Sequence, residues 1–284
     1  MPEKVVGLRF GPAGIPNSTP RKTTVEGIKR VKELGLDAME LEFVRGVRMS
    51  EARAREVKEL AKNLGVVLTA HAPYYINLCS DDESKVRASI DRILQSARIG
   101  FLAGAWSVVF HPGYYGKLSH DEAYRRVRKA LQEIVEAVRR ESIDVWIRPE
   151  VMGGVSEFGD LVEVVRLSAE MGPPILPCVD FAHLHARHRG KYNSYDEFAS
   201  VLELLEKELG KEVLKNMHIH VSGIEYGDKG EVKHLNLDES DFNYRELLRV
   251  LKDFGVEGVV ISESPNLEED ALKMKRLWQE LRTA

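Results

Sequence analysis

Short runs rich in β-branched residues alternate with longer amphipathic stretches along the whole chain. The runs 4–9, 37–42, 66–71, 107–111, 143–150, 175–180, 216–221 and 258–263 have the residue types and spacing of strands. Between them, 25–34, 51–64, 85–102, 121–140, 196–209, 244–254 and 267–281 repeat apolar residues every three or four positions, as a helix with one buried stripe does. Helix-start signals agree: Ser50 precedes Glu51, Ser119 has Glu122 three residues on, and Asp241 stands before the helix expected at Asn243. Gly65, Gly172 and Gly255 fall where helices should end.

Eight strands alternating with helices, evenly spread and without a linker, predict a closed parallel barrel, (β/α)8, as one domain over residues 1–284. A doubly wound open sheet is the competing architecture. It lacks support because no Gly-rich phosphate turn follows the first strand, and Gly11-Pro12-Ala13-Gly14 reads only as a loop.

Composition narrows the class. With 43% hydrophobic and 30% charged residues, the chain reads as a soluble globular protein, neither disordered nor membrane-embedded. No apolar run approaches the roughly 20 residues that span a bilayer. Two cysteines, Cys79 and Cys178, make no disulfide framework, and MPEKVVGLRF lacks the features of a signal peptide, so the expectation is a cytoplasmic protein. The net charge of −4 argues against a partner held mainly by bulk electrostatics. The segment from His185 to Lys191, with Arg187 and Arg189, is a local basic exception.

The chemistry gathers where the strands end. Strand three ends at His71, strand four at His111, strand five at Glu150 and strand six at Asp180, with His183 three residues on. Strand seven carries His218 and His220, and strand eight ends at Glu263. In a closed barrel these ends converge on one face, where barrel enzymes place their active sites. A lone histidine or carboxylate after a strand is ordinarily a cap or a core residue. Six consecutive strand ends in register are not explained that way, and they predict a metal site. Imidazole mixed with carboxylate suits zinc, with manganese or iron as further options. Glu150, Asp180, His218 and Glu263 would fill one site, and His71 and His111 a second, with Glu150 as bridge. His183 and His234 could serve a third. Alternation turns both His218 and His220 inward and leaves open which of them binds metal and which orients a ligand. Clustered divalent ions suit phosphoryl chemistry.

At these residues the chain resembles the endonuclease IV family of apurinic/apyrimidinic endonucleases. The matching pieces are Ala70-His71-Ala72-Pro73-Tyr74-Tyr75-Ile76-Asn77-Leu78, Phe110-His111-Pro112-Gly113, Pro149-Glu150, Cys178-Val179-Asp180-Phe181-Ala182-His183, Met217-His218-Ile219 and Ser262-Glu263-Ser264-Pro265. They run in order from strand three to strand eight. The resemblance implies a trinuclear zinc site. His71 and His111 would hold one ion, Glu150 would bridge to a second held by Asp180, His218 and Glu263, and His183 and His234 would hold the third. It implies hydrolysis of the phosphodiester 5′ to an abasic site in damaged double-stranded DNA, with Glu150 and Glu263 indispensable to activity. Tyr74 and Asn77 match positions near the bound DNA.

One position departs from the family pattern. An aspartate is usual two residues before the histidine matching His234, and here that position is Val232, with Glu231 or Asp228 as possible substitutes. Phosphate contacts at the rim are expected from Arg45, Arg48, Lys117, Arg187 and Arg189, and base contacts from Tyr74, Tyr75, Tyr114 and Tyr115. The protein is expected to be a monomer and to have no membrane partner. The rival reading is a single-metal sugar isomerase or epimerase of the xylose-isomerase-like barrels. Such an enzyme needs Glu150, Asp180, His218 and Glu263, but not the remaining histidines.

Overall fold

Strand alternation decides which side chains meet on the axis of this molecule, and the strands come in a fixed order. A computed structural model describes residues 1–283. The first strands are β1 (Leu8–Pro12), β2 (Ala38–Glu42), β3 (Val67–His71), β4 (Ala105–Phe110), the two-residue β5 (Gly113–Tyr114) and β6 (Trp146–Pro149). Then come β7 (Glu157–Phe158), β8 (Cys178–Asp180), β9 (Met217–Val221), β10 (Gly223–Gly227), β11 (Gly230–Leu235) and β12 (Gly258–Ser262). Eight of these pair in parallel. One arc runs β2-β3-β4-β6 and the other β1-β12-β9-β8. Single parallel bridges join the arcs, Ala13 to Glu40 on one side and Ile147 to Ile175 and Glu150 to Cys178 on the other. The ring is therefore closed, as the (β/α)8 reading expected.

The helices are α1 (Thr24–Glu33), α2 (Glu51–Leu64), α3 (Glu83–Leu102), α4 (His120–Arg140), α5 (Leu161–Met171), α6 (Phe181–Arg187), α7 (Tyr195–Leu209), α8 (Tyr244–Asp253) and α9 (Glu268–Thr283). Local chemistry fixes their ends. Ser50 and Ser119 cap α2 and α4, the latter in a reciprocal capping box with Glu122, and Gly65 ends α2 in the left-handed conformation. The cap of α8 is Asn243 and not Asp241, because the Asn243 side chain accepts from the Glu246 amide. Asp241 is instead bound by His185 and Tyr226. Helix stripes bury Ile28, Val57, Ile93, Val127, Leu131 and Leu202 against the outer strand faces. Among the described residues no helix is long and apolar enough to cross a membrane.

Two departures from the expected elements have physical causes. β1 lies four residues later than expected, so the Gly-Pro pair is strand and not loop. Strand β1 approaches β2 so closely that a Cβ on Gly11 would lie 1.6 Å from the Ala38 carbonyl oxygen. An antiparallel hairpin, β10 with β11, follows β9 and rises over one side of the barrel mouth. Its strands carry mixed polar residues, and Val232 faces solvent, so no apolar alternation announces it.

The barrel floor is closed by a cation. Arg148 on β6 is buried, donating to Ser107 Oγ at 2.7 Å, to the Pro177 carbonyl at 3.0 Å and to the Asn216 carbonyl at 2.7 Å. Its guanidinium lies 4.8 Å from the Trp106 ring centroid and 5.7 Å from that of Trp146. Two residues on, and so on the same inward face, Glu150 stands at the opposite end.

Candidate metal centre

Glu150, fully buried just past β6, is the hub of the mouth. Its Oε2 lies 3.2 Å from His71 Nε2 and 3.0 Å from His111 Nε2. Its Oε1 lies 3.0 Å from His220 Nδ1 and 3.4 Å from His183 Nδ1. One carboxylate thus serves two donor sets, His71 with His111 on one side and Asp180, His220 and Glu263 on the other. A third set consists of His183, His234 and Glu263. Glu231 adjoins it, 3.3 Å from His183 Nε2 and 3.2 Å from His234 Nε2. Of the two candidate substitutes for the usual aspartate, Glu231 reaches the histidines, while Asp228 is exposed in the hairpin turn.

The ring nitrogens show that these residues fit a metal. His71 Nδ1 faces the Ala72 carbonyl at 2.8 Å, so the first ring proton belongs there and Nε2, 3.2 Å from Glu150 Oε2, is the atom that would hold either a second proton or a metal. His183 Nδ1 likewise meets the Val151 carbonyl at 2.9 Å, and His234 Nδ1 the Glu263 carbonyl at 3.1 Å. The two Nε2 atoms then confront each other at 3.2 Å. Two neutral lone pairs at that distance repel unless a cation or a proton lies between them. Asp180 Oδ2 is buried without a hydrogen-bond partner, a further acceptor held ready for an ion. Imidazoles and carboxylates in this ratio suit zinc.

The electrostatics of the cluster's own side chains are those of a proton store. Burial disfavours the charge on Glu150, but His220 and His111 overcome it and hold the carboxyl well below its usual range. Burial would also lower His71, yet Glu150 raises it to about 10. His183, raised by Asp180 and Glu231 against burial, also reaches about 10, and His234, raised by Glu231, about 9. Asp180 is pushed up to about 7 by burial and by Glu263 and Glu150. Protons occupy positions that a divalent ion would otherwise fill.

Two expected roles are corrected by placement. His218 does not turn to the mouth. Its Nε2 lies 2.8 Å from Glu40 Oε2, inside the barrel, and His220 takes the place beside Glu150 and Glu263. The β8–β9 register explains this, since Asp180 is opposite His220 and Cys178 is opposite His218. Arg187, expected at an exposed rim, is not there either. It is 7% exposed, donates to the carbonyls of Gly154 at 2.7 Å and Glu157 at 3.0 Å, and meets Tyr115 Oη at 3.1 Å. The residue types from His185 to Lys191 suggest a basic loop, but most of that stretch is helix α6 and the turn that ends it, and Arg187 is on the buried side.

The remaining rim residues lie in the open. Tyr74, 53% exposed, stacks on His111 with centroids 5.2 Å apart and meets the His71 ring edge-on at 5.4 Å. Asn77 joins two mouth loops, its Oδ1 accepting from the amides of Cys79 and Tyr114. Arg45, Arg48, Lys117 and Arg189 are exposed. Sequence reasoning missed two inward carboxyls of β2, Glu40 and Glu42. Burial and the nearby Glu40 push Glu42 up to about 8, and its Oε1 is buried without a partner. The alternation of Met39 and Leu41 with Glu40 and Glu42 was the available signal.

Known proteins share this architecture. The profile of the family described as Xylose isomerase-like TIM barrel matches residues 28–281. An uncharacterized protein of Methanocaldococcus jannaschii is 45% identical over 274 residues, covering 96% of this chain and 98% of that protein. A probable endonuclease 4 of Mycoplasma pneumoniae is 27% identical over 204 residues, 70% of this chain and 68% of that one. Among solved structures, endonuclease IV from Thermus thermophilus superposes with a TM-score of 0.73 at 21% identity, over 98% of this chain and 99% of that one. A D-tagatose 3-epimerase-like protein gives 0.72 at 23% identity, over 97% of each chain.

Proposed function

The chain belongs to the xylose isomerase-like TIM barrel family, and from that premise we propose that it is a zinc-dependent phosphodiesterase cutting duplex DNA 5′ to abasic sites. The observation that carries this reading is the sharing of Glu150 between two donor sets, with a third alongside. A single-ion sugar enzyme has no need of His71, His111, His183 and His234 together. Zinc, when bound, would supply Lewis acidity and positive charge for the phosphoryl oxygens. Residues His71, His111 and Glu150 would hold one ion, Glu150, Asp180, His220 and Glu263 a second, and His183, His234 and Glu231 with Glu263 a third.

The chain's own part is to fix these donors and receive the nucleic acid. Backbone carbonyls set the protons of His71, His183 and His234, so their Nε2 atoms point inward without reorganisation. Tyr74, supported by the two mouth histidines, offers an exposed ring on which an unpaired base or sugar can rest. Arg45, Arg48, Lys117 and Arg189 are free to meet phosphates.

A sugar epimerase remains the second reading, favoured by the unpartnered Glu42 carboxyl at the mouth and by the burial of Arg187. A free carboxyl suits a hydroxyl-bearing ligand better than a phosphate. The deciding experiment is incision of a duplex carrying one abasic site, with and without chelator, alongside zinc counted per chain. Chelator-sensitive incision with two or more zinc ions supports the nuclease. About one ion and no incision would sink it.

A further inference from the structure

Beneath the mouth, two histidines of β9 are each held by a carboxylate through one ring nitrogen and are bare at the other. His218 Nε2 donates to Glu40 Oε2 at 2.8 Å, and the same oxygen accepts from Thr69 Oγ1 at 2.7 Å. His220 Nδ1 donates to Glu150 Oε1 at 3.0 Å. An ionised carboxylate only accepts, so each of these bonds places a ring proton on the nitrogen that makes it. A neutral ring then has a lone pair at its other nitrogen, which is Nδ1 in His218 and Nε2 in His220. Both atoms are without a hydrogen-bond partner, in rings that are fully buried. Buried nitrogens left bare are rare and costly, and two at successive inward positions of one strand call for an explanation. The thiol of Cys178, on β8 opposite His218, supplies one. Cys178 Sγ and a ring nitrogen of each histidine lie within 4.8 Å of one another.

We propose that Cys178, His218 and His220 form a zinc site inside the barrel, separate from the donor sets of the mouth. One thiolate and two imidazoles are donors that zinc takes together. A metal-bound histidine ordinarily donates its second N–H to a carboxylate or carbonyl, and Glu40 and Glu150 already fill that place. A buried cysteine is otherwise an apolar filler, a role that gives the two bare nitrogens nothing. Burial pushes the Cys178 thiol up, so its proton stays until the ion displaces it. The site would pin β8 to β9 and leave His71, His111, His183 and His234 untouched. It draws on His220 through Nε2, whereas a mouth ion beside Asp180 and Glu263 draws on Nδ1. Both are filled together only when that ring has lost both protons. The competing arrangement is a second proton on His220 Nε2, which lies 3.0 Å from Glu40 Oε1 without a hydrogen bond to it. The inference goes beyond the nuclease reading and does not depend on it.

Cobalt separates the alternatives, because among all these donors only the thiolate gives a sulfur-to-cobalt charge-transfer band in the near ultraviolet. The full chain, treated with chelator and titrated with cobalt to saturation, should develop that band. Cys178→Ser should lose it and Cys79→Ser should keep it, each with a circular-dichroism spectrum like the parent's. His218→Gln removes a donor outright. It should weaken the band-forming ion by more than the roughly 10- to 100-fold that loss of an orienting partner costs. A band that persists in Cys178→Ser, or one of parental affinity in His218→Gln, overturns the assignment. If a variant does not fold, X-ray absorption of the zinc-loaded parent still decides. A sulfur neighbour at roughly 2.3 Å from zinc supports the site. Only nitrogen and oxygen neighbours, or no band in the parent at saturating cobalt, overturns it in favour of the second proton. A sulfur signature without incision of abasic DNA would refute the nuclease reading alone. Incision without a sulfur signature would refute the deep site alone.

Discussion

His183 and His234 present two Nε2 atoms 3.2 Å apart, each ring already hydrogen-bonded through its other nitrogen to a backbone carbonyl. A proton between the rings would relieve that confrontation, and a bound zinc would have to expel it. His71 and His234, raised to about 10 and about 9 by carboxylates against burial, are protonated at pH 8. Zinc binding at pH 8 should therefore release protons, seen as a heat that varies with the buffer's ionisation enthalpy; a buffer-independent heat would contradict this. The sign carries over to stability. A raised histidine pKa contributes stability that is complete below its unfolded value near 6.5. That contribution is lost as pH climbs through 9 to 10. The chelated protein should lose melting temperature over that span, and the zinc-loaded protein should lose less. Bridging makes a second expectation: Glu150→Gln disturbs two donor sets at once and should lower the cleavage rate at saturating zinc more than His234→Ala does. Equal losses would remove Glu150 from the bridging position. Most mouth residues were legible because alternation and strand ends fix them. The choice between His218 and His220 was not legible, since both face inward and only the register with β8 sets their heights.

Elements show where local sequence signals suffice and where they do not. Helix α2 occupies the residues its period and caps indicate, Glu51–Leu64. The hairpin β10–β11 is invisible to such signals, because its pairing is held by contacts remote in sequence. Gly230, at φ +85°, bridges to Gly154, and a Cβ there would stand 2.1 Å from the Gly153 carbonyl oxygen. Gly230→Ala should accordingly lift the hairpin and weaken binding of the ion proposed for His183, His234 and Glu231. Zinc counts per chain should fall while the far-ultraviolet spectrum is retained; an unchanged zinc count would argue that the hairpin's seat is unimportant. Arg187 belongs to the same scale. It ties α6 to the loop between β6 and β7, and Arg187→Ala leaves buried carbonyls without a donor. A loss of about 1–3 kcal/mol is expected in denaturant unfolding. A mutant with parental stability but weakened DNA binding would return Arg187 to the rim.

For the whole molecule, closure of the ring was legible from the count and spacing of strands. The interior network of Glu40, Thr69 and His218 was not, because sequence alone gives no depth along the barrel axis. Charge is also a property of this scale. With net charge −4, the expected phosphate contacts Arg45, Arg48, Lys117 and Arg189 would by themselves neutralise few phosphates at once. Counterion release then limits the slope of log affinity against log salt to about −4. Titrations of an abasic duplex across salt concentrations measure it, and a slope of about −8, twice that limit, would require basic groups elsewhere on the surface. Arg148, clamped between Trp106 and Trp146, has one more consequence. With the floor plugged by that side chain, the barrel has a single doorway. Whatever the mouth binds must then leave by the route it entered, so successive ligands compete for the same threshold.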